Sequence, residues 1–168
     1  ETALIDAKIA TPCLVLDREQ ISKNYRNFCH HMQGIDIFYA VKANPHPDVL
    51  SLLAAEGAYF DCASFHEITL VLSAGSDPSN ICFGSTLKKA TDIANAYKVG
   101  VRYFTFDARE ELQKIADHAP GSNVCCRILT NDLGTGAQWP LSRKFGCDEN
   151  MAVDLMSEAG ELGLIASG

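Results

Sequence analysis

The stretch IDIFYAVKANPHPD, residues 35–48, decides the fold. Residues 35–43 read as a strand: apolar and β-branched side chains run up to a lysine, Lys42. Pro47 and Asp48 then open a helix that Gly57 stops. The turn between them, KANPHPD, contains two prolines and no glycine. An open dinucleotide-binding sheet wants G-x-G-x-x-G after its first strand. Its absence favours a closed (β/α)8 barrel, whose functional groups sit at the carboxyl ends of the strands.

Outward from this stretch the chain alternates. Strands are expected at 58–64, 80–85, 101–107 and 123–129, and another begins in GLIAS near the carboxyl end. Helices are expected from Ser64 to Gly75, from about Leu87 to Val99, from Asp107 to about His118, and over 149–162. Ser64 with Glu67, Asp107 with Glu110, and Asp148 supply the capping signals. Upstream, TPCLVLD (11–17) reads as a short strand. Asp17 caps a helix carrying Ile21, Tyr25, Phe28 and Met32 on one stripe. A polar, glycine-containing loop covers 130–143. The βα unit recurs roughly every 20 to 24 residues, five times, which implies a parallel sheet. A complete barrel needs about 250 residues. The 168 residues here are therefore expected to form a fragment of one. Residues 1–34 lead in, and residues 35–168 form the partial barrel.

Composition narrows the function. Net charge is −7, which disfavours nucleic acid and anionic membrane as main partners. No apolar run is long enough to span a bilayer. The seven cysteines lack CxxC spacing, so they read as reduced packing residues of a cytoplasmic protein, and no metal site is expected.

Five strand ends carry Lys42, Asp61, Gly84, Asp107 and Arg127. Alternation puts Phe38, Ala40 and Lys42 on one face. A lysine aimed into an apolar barrel mouth loses charge by burial and becomes a carbonyl nucleophile, a Schiff-base lysine. The competing reading is a lysine that snorkels to solvent. Asp61 reads either as a partner of Lys42 or a cofactor, or as a turn carboxylate. Glu67 is explained fully by its capping box. Arg127, inside VCCRIL, needs an anion: a phosphate-bearing cofactor, a carboxylate or a structural salt bridge. Lys144 reads as a subunit contact or as an isolated surface lysine.

FYAVKANPHPDVLSLLAAEGAYFDCASFHEI resembles the N-terminal part of the ornithine decarboxylase family, fold-type III enzymes that use pyridoxal 5'-phosphate (PLP) on basic amino acids. The likeness runs on through FGSTLKK, FTFDAREELQKIA, CRIL and PLSRKFG, nearly the whole chain. FDCAS leans toward the ornithine/lysine branch and away from diaminopimelate decarboxylases. The resemblance implies roles. Lys42 matches the lysine that holds the cofactor, and Asp61 and Glu67 match carboxylates near that lysine and the ring. Arg127 matches an arginine near the ring's phenolic oxygen, and Lys144 a lysine bridging to the partner in a homodimer. The ring-stacking histidine, glycine-rich phosphate loop, glutamate on the pyridine nitrogen and C-terminal β domain belong to segments after Gly168. The function implied is decarboxylation of a basic amino acid, foremost L-ornithine to putrescine with L-lysine to cadaverine as the alternative, in polyamine biosynthesis. A PLP-binding or regulatory relative without catalysis is the alternative. A racemase on the same barrel fits AVKAN but fits FDCAS and SRKFG worse.

Overall fold

The computed structural model describes residues 9–10, 12–129 and 144–168. The expected loop over 130–143 lies outside them. Six parallel strands form one sheet in chain order: β1 (Phe38–Ala40), β2 (Tyr59–Cys62), β3 (Ile81–Phe83), β4 (Tyr103–Phe106), β5 (Asn123–Cys126) and β6 (Ile165–Ala166). A doubly wound sheet reverses its strand order at a switch point. This order never reverses, so the sheet is the wall of a barrel.

Between the strands run α2 (Pro47–Ala55), α3 (Phe65–Ser73), α4 (Ala90–Lys98), α5 (Arg109–His118) and α6 (Glu149–Glu161), preceded by α1 (Arg18–His31). Each of these helices packs on the next, which puts them all on one side of the sheet. Five βα units and a sixth strand are present, as the periodicity implies.

The register carries the function. Ala40 lies beside Asp61, Asp61 beside Cys82, Cys82 beside Tyr103, and Thr105 beside Cys125. The residues between them, Phe60, Phe83, Phe104 and Phe106, point to the helices and are 0–1% exposed. Ile68, Ile93, Leu112 and Ile115 close this layer from the helix side.

Three expectations need correcting. Residues 12–17 form no strand, and Leu14, Val15 and Leu16 are exposed. A strand needs a neighbour to take its ladder hydrogen bonds, and among the described residues none is offered. β1 stops at Ala40, and Val41–Ala43 form a single 3-10 turn. Asn44, forced into extended backbone by Pro45, ends that turn. Finally, Asp107 does not cap α5, whose N-cap is Ala108 with no side-chain bond. The other caps are as read. Asp17 accepts from the Gln20 N–H at 3.1 Å, and Asp148 accepts from Asn150 and Met151.

Candidate active site

The inward face ends in a polar cavity of about 390 Å3, lined by Phe38, Asp61, Cys82, Gly84, Tyr103, Thr105, Cys125 and Arg127. These are the alternate residues of β1–β5 and their first carboxyl-terminal extensions. A larger apolar groove, about 490 Å3, lies along the other side of β1 among Ile21, Tyr25, Phe28, Tyr39 and Leu53. Its lining carries no charged side chain, so it has nothing with which to do acid–base chemistry.

Asp61 is the centre of the polar cavity. Burial raises its carboxyl above the ordinary range, Lys42 and Arg127 draw it back down, and Glu67 pushes it up. All four ionisable residues expected at the cofactor therefore share one electrostatic neighbourhood. The Asp61 carboxylate lies over Gly84, where a Cβ would collide with its Oδ1. Any side chain there would force the Asp61 carboxylate to move, a close approach that the strand-end reading of Gly84 did not reveal.

Lys42 departs from its expected setting. The 3-10 turn carries it out of the strand, and it is exposed. The salt bridges among the described residues use Arg26, Lys88, Arg109 and Lys114 as cations, and neither Lys42 nor Arg127. Arg127 lines the cavity, and neither cation makes a carboxylate contact among the described residues.

Glu67 performs the capping role its sequence context gives it. Its N–H donates to Ser64 Oγ at 3.2 Å, and its Oε2 accepts from the Ala63 N–H at 2.6 Å. That second bond reaches one residue further back than a capping box, and so clamps the Cys62–Ser64 turn directly after Asp61.

Arg127 continues the β4–β5 ladder, donating its backbone N–H to Phe106 O at 2.8 Å. Its guanidinium lies 5.4 Å from the Phe145 ring centroid, and the Lys144 ammonium lies 5.6 Å from the same ring. Lys144 is exposed. Next to them Gly146, at φ +103°, donates its N–H to Asp107 Oδ2 at 2.8 Å. This is where the Asp107 carboxylate goes instead of capping. The bond spans 39 residues and leaves no local signature.

The inward thiols are not nucleophiles. Burial pushes Cys82 up to about 11, and Cys125 is raised by the same cause, so both stay protonated at neutral pH. Sequence reasoning also missed a buried cation, Lys88, behind the rim. Its side chain is fully buried against Glu111 at 3.0 Å.

A parallel barrel wall with a carboxylate and a guanidinium lining a cavity at its carboxyl-terminal rim defines a class of protein. It is a (β/α)-barrel domain with its charged groups gathered at the strand ends. Residues 18–165 match the family "Pyridoxal-dependent decarboxylase, pyridoxal binding domain", and the chain belongs to that family. It is 36% identical over 168 residues to the lysine/ornithine decarboxylase of Selenomonas ruminantium, covering all of this chain and 42% of that protein. It is 41% identical over 155 residues to the ornithine decarboxylase of Saccharomyces cerevisiae, covering 92% of this chain and 33% of that one. The chain thus spans well under half the length of these relatives. Among solved structures, lysine decarboxylase from Selenomonas ruminantium matches with TM-score 0.85, at 35% identity over 99% of this chain and 42% of that one. SrLDC in complex with PLP and cadaverine matches with TM-score 0.87, at 35% identity over 99% and 41% of the two chains.

The residues fit the group this family binds. An anionic ring oxygen needs a cationic partner and an aldehyde needs an amine, and the rim carries a guanidinium at Arg127 and an amine at Lys42. The cavity beside Asp61 and Arg127 has room for a small ligand.

Proposed function

We propose that the protein of which this chain forms the barrel wall is a PLP-dependent carboxy-lyase acting on a basic amino acid, most directly L-ornithine. The observation that carries the reading is that Asp61 and Arg127 line one rim cavity, with Lys42 on the turn directly after β1, in a chain of this family. Lys42 would hold the cofactor's aldehyde through Nζ, and its exposed position leaves that nitrogen open to an incoming amine. Arg127 neutralises an anionic oxygen on the ring. Asp61 balances the two cations, and Glu67 keeps Asp61 in place by clamping the turn that follows it. When bound, PLP supplies the electron sink that lets carbon dioxide leave.

The substrate assignment draws support from the lysine/ornithine and ornithine decarboxylases among the relatives. L-lysine, giving cadaverine, is the alternative substrate. Putrescine as product gives the protein its place in polyamine biosynthesis. A homodimer with Lys144 at the contact is part of the same proposal, supported by that lysine's exposure. So are the domain limits, lead-in 1–34 and partial barrel 35–168, with a C-terminal β domain outside this chain. A cytoplasmic home draws support from seven thiols that are all unpaired. No helix among the described residues is long and apolar enough to cross a membrane.

The test uses the intact protein. PLP is added, borohydride reduces the adduct, and the modified lysine is located by mass spectrometry. The label is expected on Lys42 and lost in Lys42→Ala. Normal labelling of the variant on another lysine sinks the assignment. Carbon dioxide release from ornithine and lysine separates an enzyme from a PLP-binding relative without catalysis.

A further inference from the structure

We propose that Lys88 is a positioning residue: a buried cation that holds the rim ends of β3 and β4 where Asp61 and Arg127 meet the cofactor. The inference rests on the PLP-binding reading above. All three ammonium protons of Lys88 have acceptors. Its Nζ donates to Ser85 O at 2.7 Å and to Thr105 O at 2.6 Å, and lies 3.0 Å from Glu111 Oε1. The two carbonyls belong to adjacent strand ends. The β3–β4 ladder finishes at Phe83 and Phe104, and Lys88 replaces its next rung with a side chain.

Those carbonyls sit directly behind the site. Ser85 follows Gly84, whose bare Cα makes room for the Asp61 carboxylate. Thr105 lines the cavity and lies two residues before Asp107. Asp107 ties down Gly146 and hence Phe145, against which Arg127 rests. A shift of either carbonyl therefore changes where Asp61 or Arg127 points.

Stability alone does not call for this arrangement. Buried ion pairs are often replaced by well-packed apolar residues without loss. Here a long charged side chain is fully buried beneath a polar rim, and its neighbour Leu87 is 73% exposed. That inverts the hydropathy of the two residues. Glu111 is held in turn by Lys114, whose Nζ lies 2.6 Å from Oε2 and also donates to Lys88 O at 2.6 Å. The network is a braced strut between β3, β4 and α5.

The experiment first removes the strut and then alters its head alone. In the intact protein, Lys88→Met with Glu111→Leu removes both buried charges together. Its apo form is expected to stay folded with a lowered urea midpoint, because the Ser85 and Thr105 carbonyls and the Lys88 N–H lose their partners. Its PLP affinity, read by absorbance titration and by borohydride labelling of Lys42, is expected to fall about tenfold or more, as for other groups that orient a ligand's partners. Wild-type affinity in the double variant overturns the proposal. If that variant does not fold, Lys88→Arg decides. It keeps the charge and the Glu111 pair, but its broad planar head misplaces the carbonyls, so its PLP affinity is also expected to fall, and an unchanged affinity overturns the proposal. Failure of the wild-type protein to bind PLP overturns the underlying reading, and this inference with it.

Discussion

The two faces of the same strands differ in almost every respect. Outward, Phe60, Phe83, Phe104 and Phe106 are sealed under helices and nearly or fully inaccessible. Inward, one residue along each strand, Asp61, Cys82, Thr105 and Cys125 are half-buried and mostly polar. Side chains alternate with period two, so stability and chemistry occupy alternate positions of a single backbone. A slip of one residue would exchange the faces, burying Asp61 against the helices and presenting phenylalanine to the ligand.

The largest break in this comparison is Phe104→Ala. The ring is fully buried and lies 6.2 Å from the Phe83 ring, centroid to centroid. Losing it should cost about 3–5 kcal/mol, transfer and cavity terms together. Urea unfolding of the intact protein reads this directly. A loss below about 1 kcal/mol would mean that the helix-facing layer does not carry the fold.

Gly84→Ala probes the inner face with a single methyl group. The new Cβ would meet the Asp61 carboxylate, which must swing away or push β3. Overpacking of this kind costs about 1–3 kcal/mol. PLP affinity should fall with it, because Asp61 no longer sits between Lys42 and Arg127. Unchanged affinity in a stably folded variant would show that the position of Asp61 is immaterial to the ligand.

The contrast between the faces also marks what the sequence makes legible. The outward layer and the strand order follow from alternation and unit length, both local. Lys42, Asp61 and Arg127 stand out because charged side chains interrupt apolar strands. Three things escape because they are tertiary. Asp107 looks like a cap in FDARE, yet its partner is Gly146. Lys88 looks solvated in STLKKATD, and only the fold brings Glu111 and Thr105 around it. Lys42 follows the alternation two residues past the real strand end, because the restriction imposed by Pro45 acts through Asn44 and a turn intervenes. Leu14–Leu16 have strand-like composition, but composition cannot supply a partner.

Lys42→Ala should have the smallest effect on stability at neutral pH and gives the finest test of the inner face. The side chain is exposed, and truncations of exposed residues stay within about 0.5 kcal/mol. The variant should instead change how stability depends on pH. Asp61 has its carboxyl raised by burial, with Lys42 opposing the rise. A carboxyl raised in the folded state favours folding when protonated. Its contribution is fully present below the unfolded-state value and is lost as pH rises through the folded-state value. Removing Lys42 takes away the larger of the two charges that pull Asp61 down, so the folded-state value climbs further. The fall in stability from acid toward neutral pH should therefore be steeper and extend to higher pH in Lys42→Ala than in wild type. Thermal midpoints of both apo proteins across the carboxylate range measure the difference. Asp61→Asn in the Lys42→Ala background should abolish the difference, since the titrating group is gone. Parallel pH profiles for wild type and Lys42→Ala would mean that Lys42 and Asp61 do not interact, and the shared site would lose its central pair.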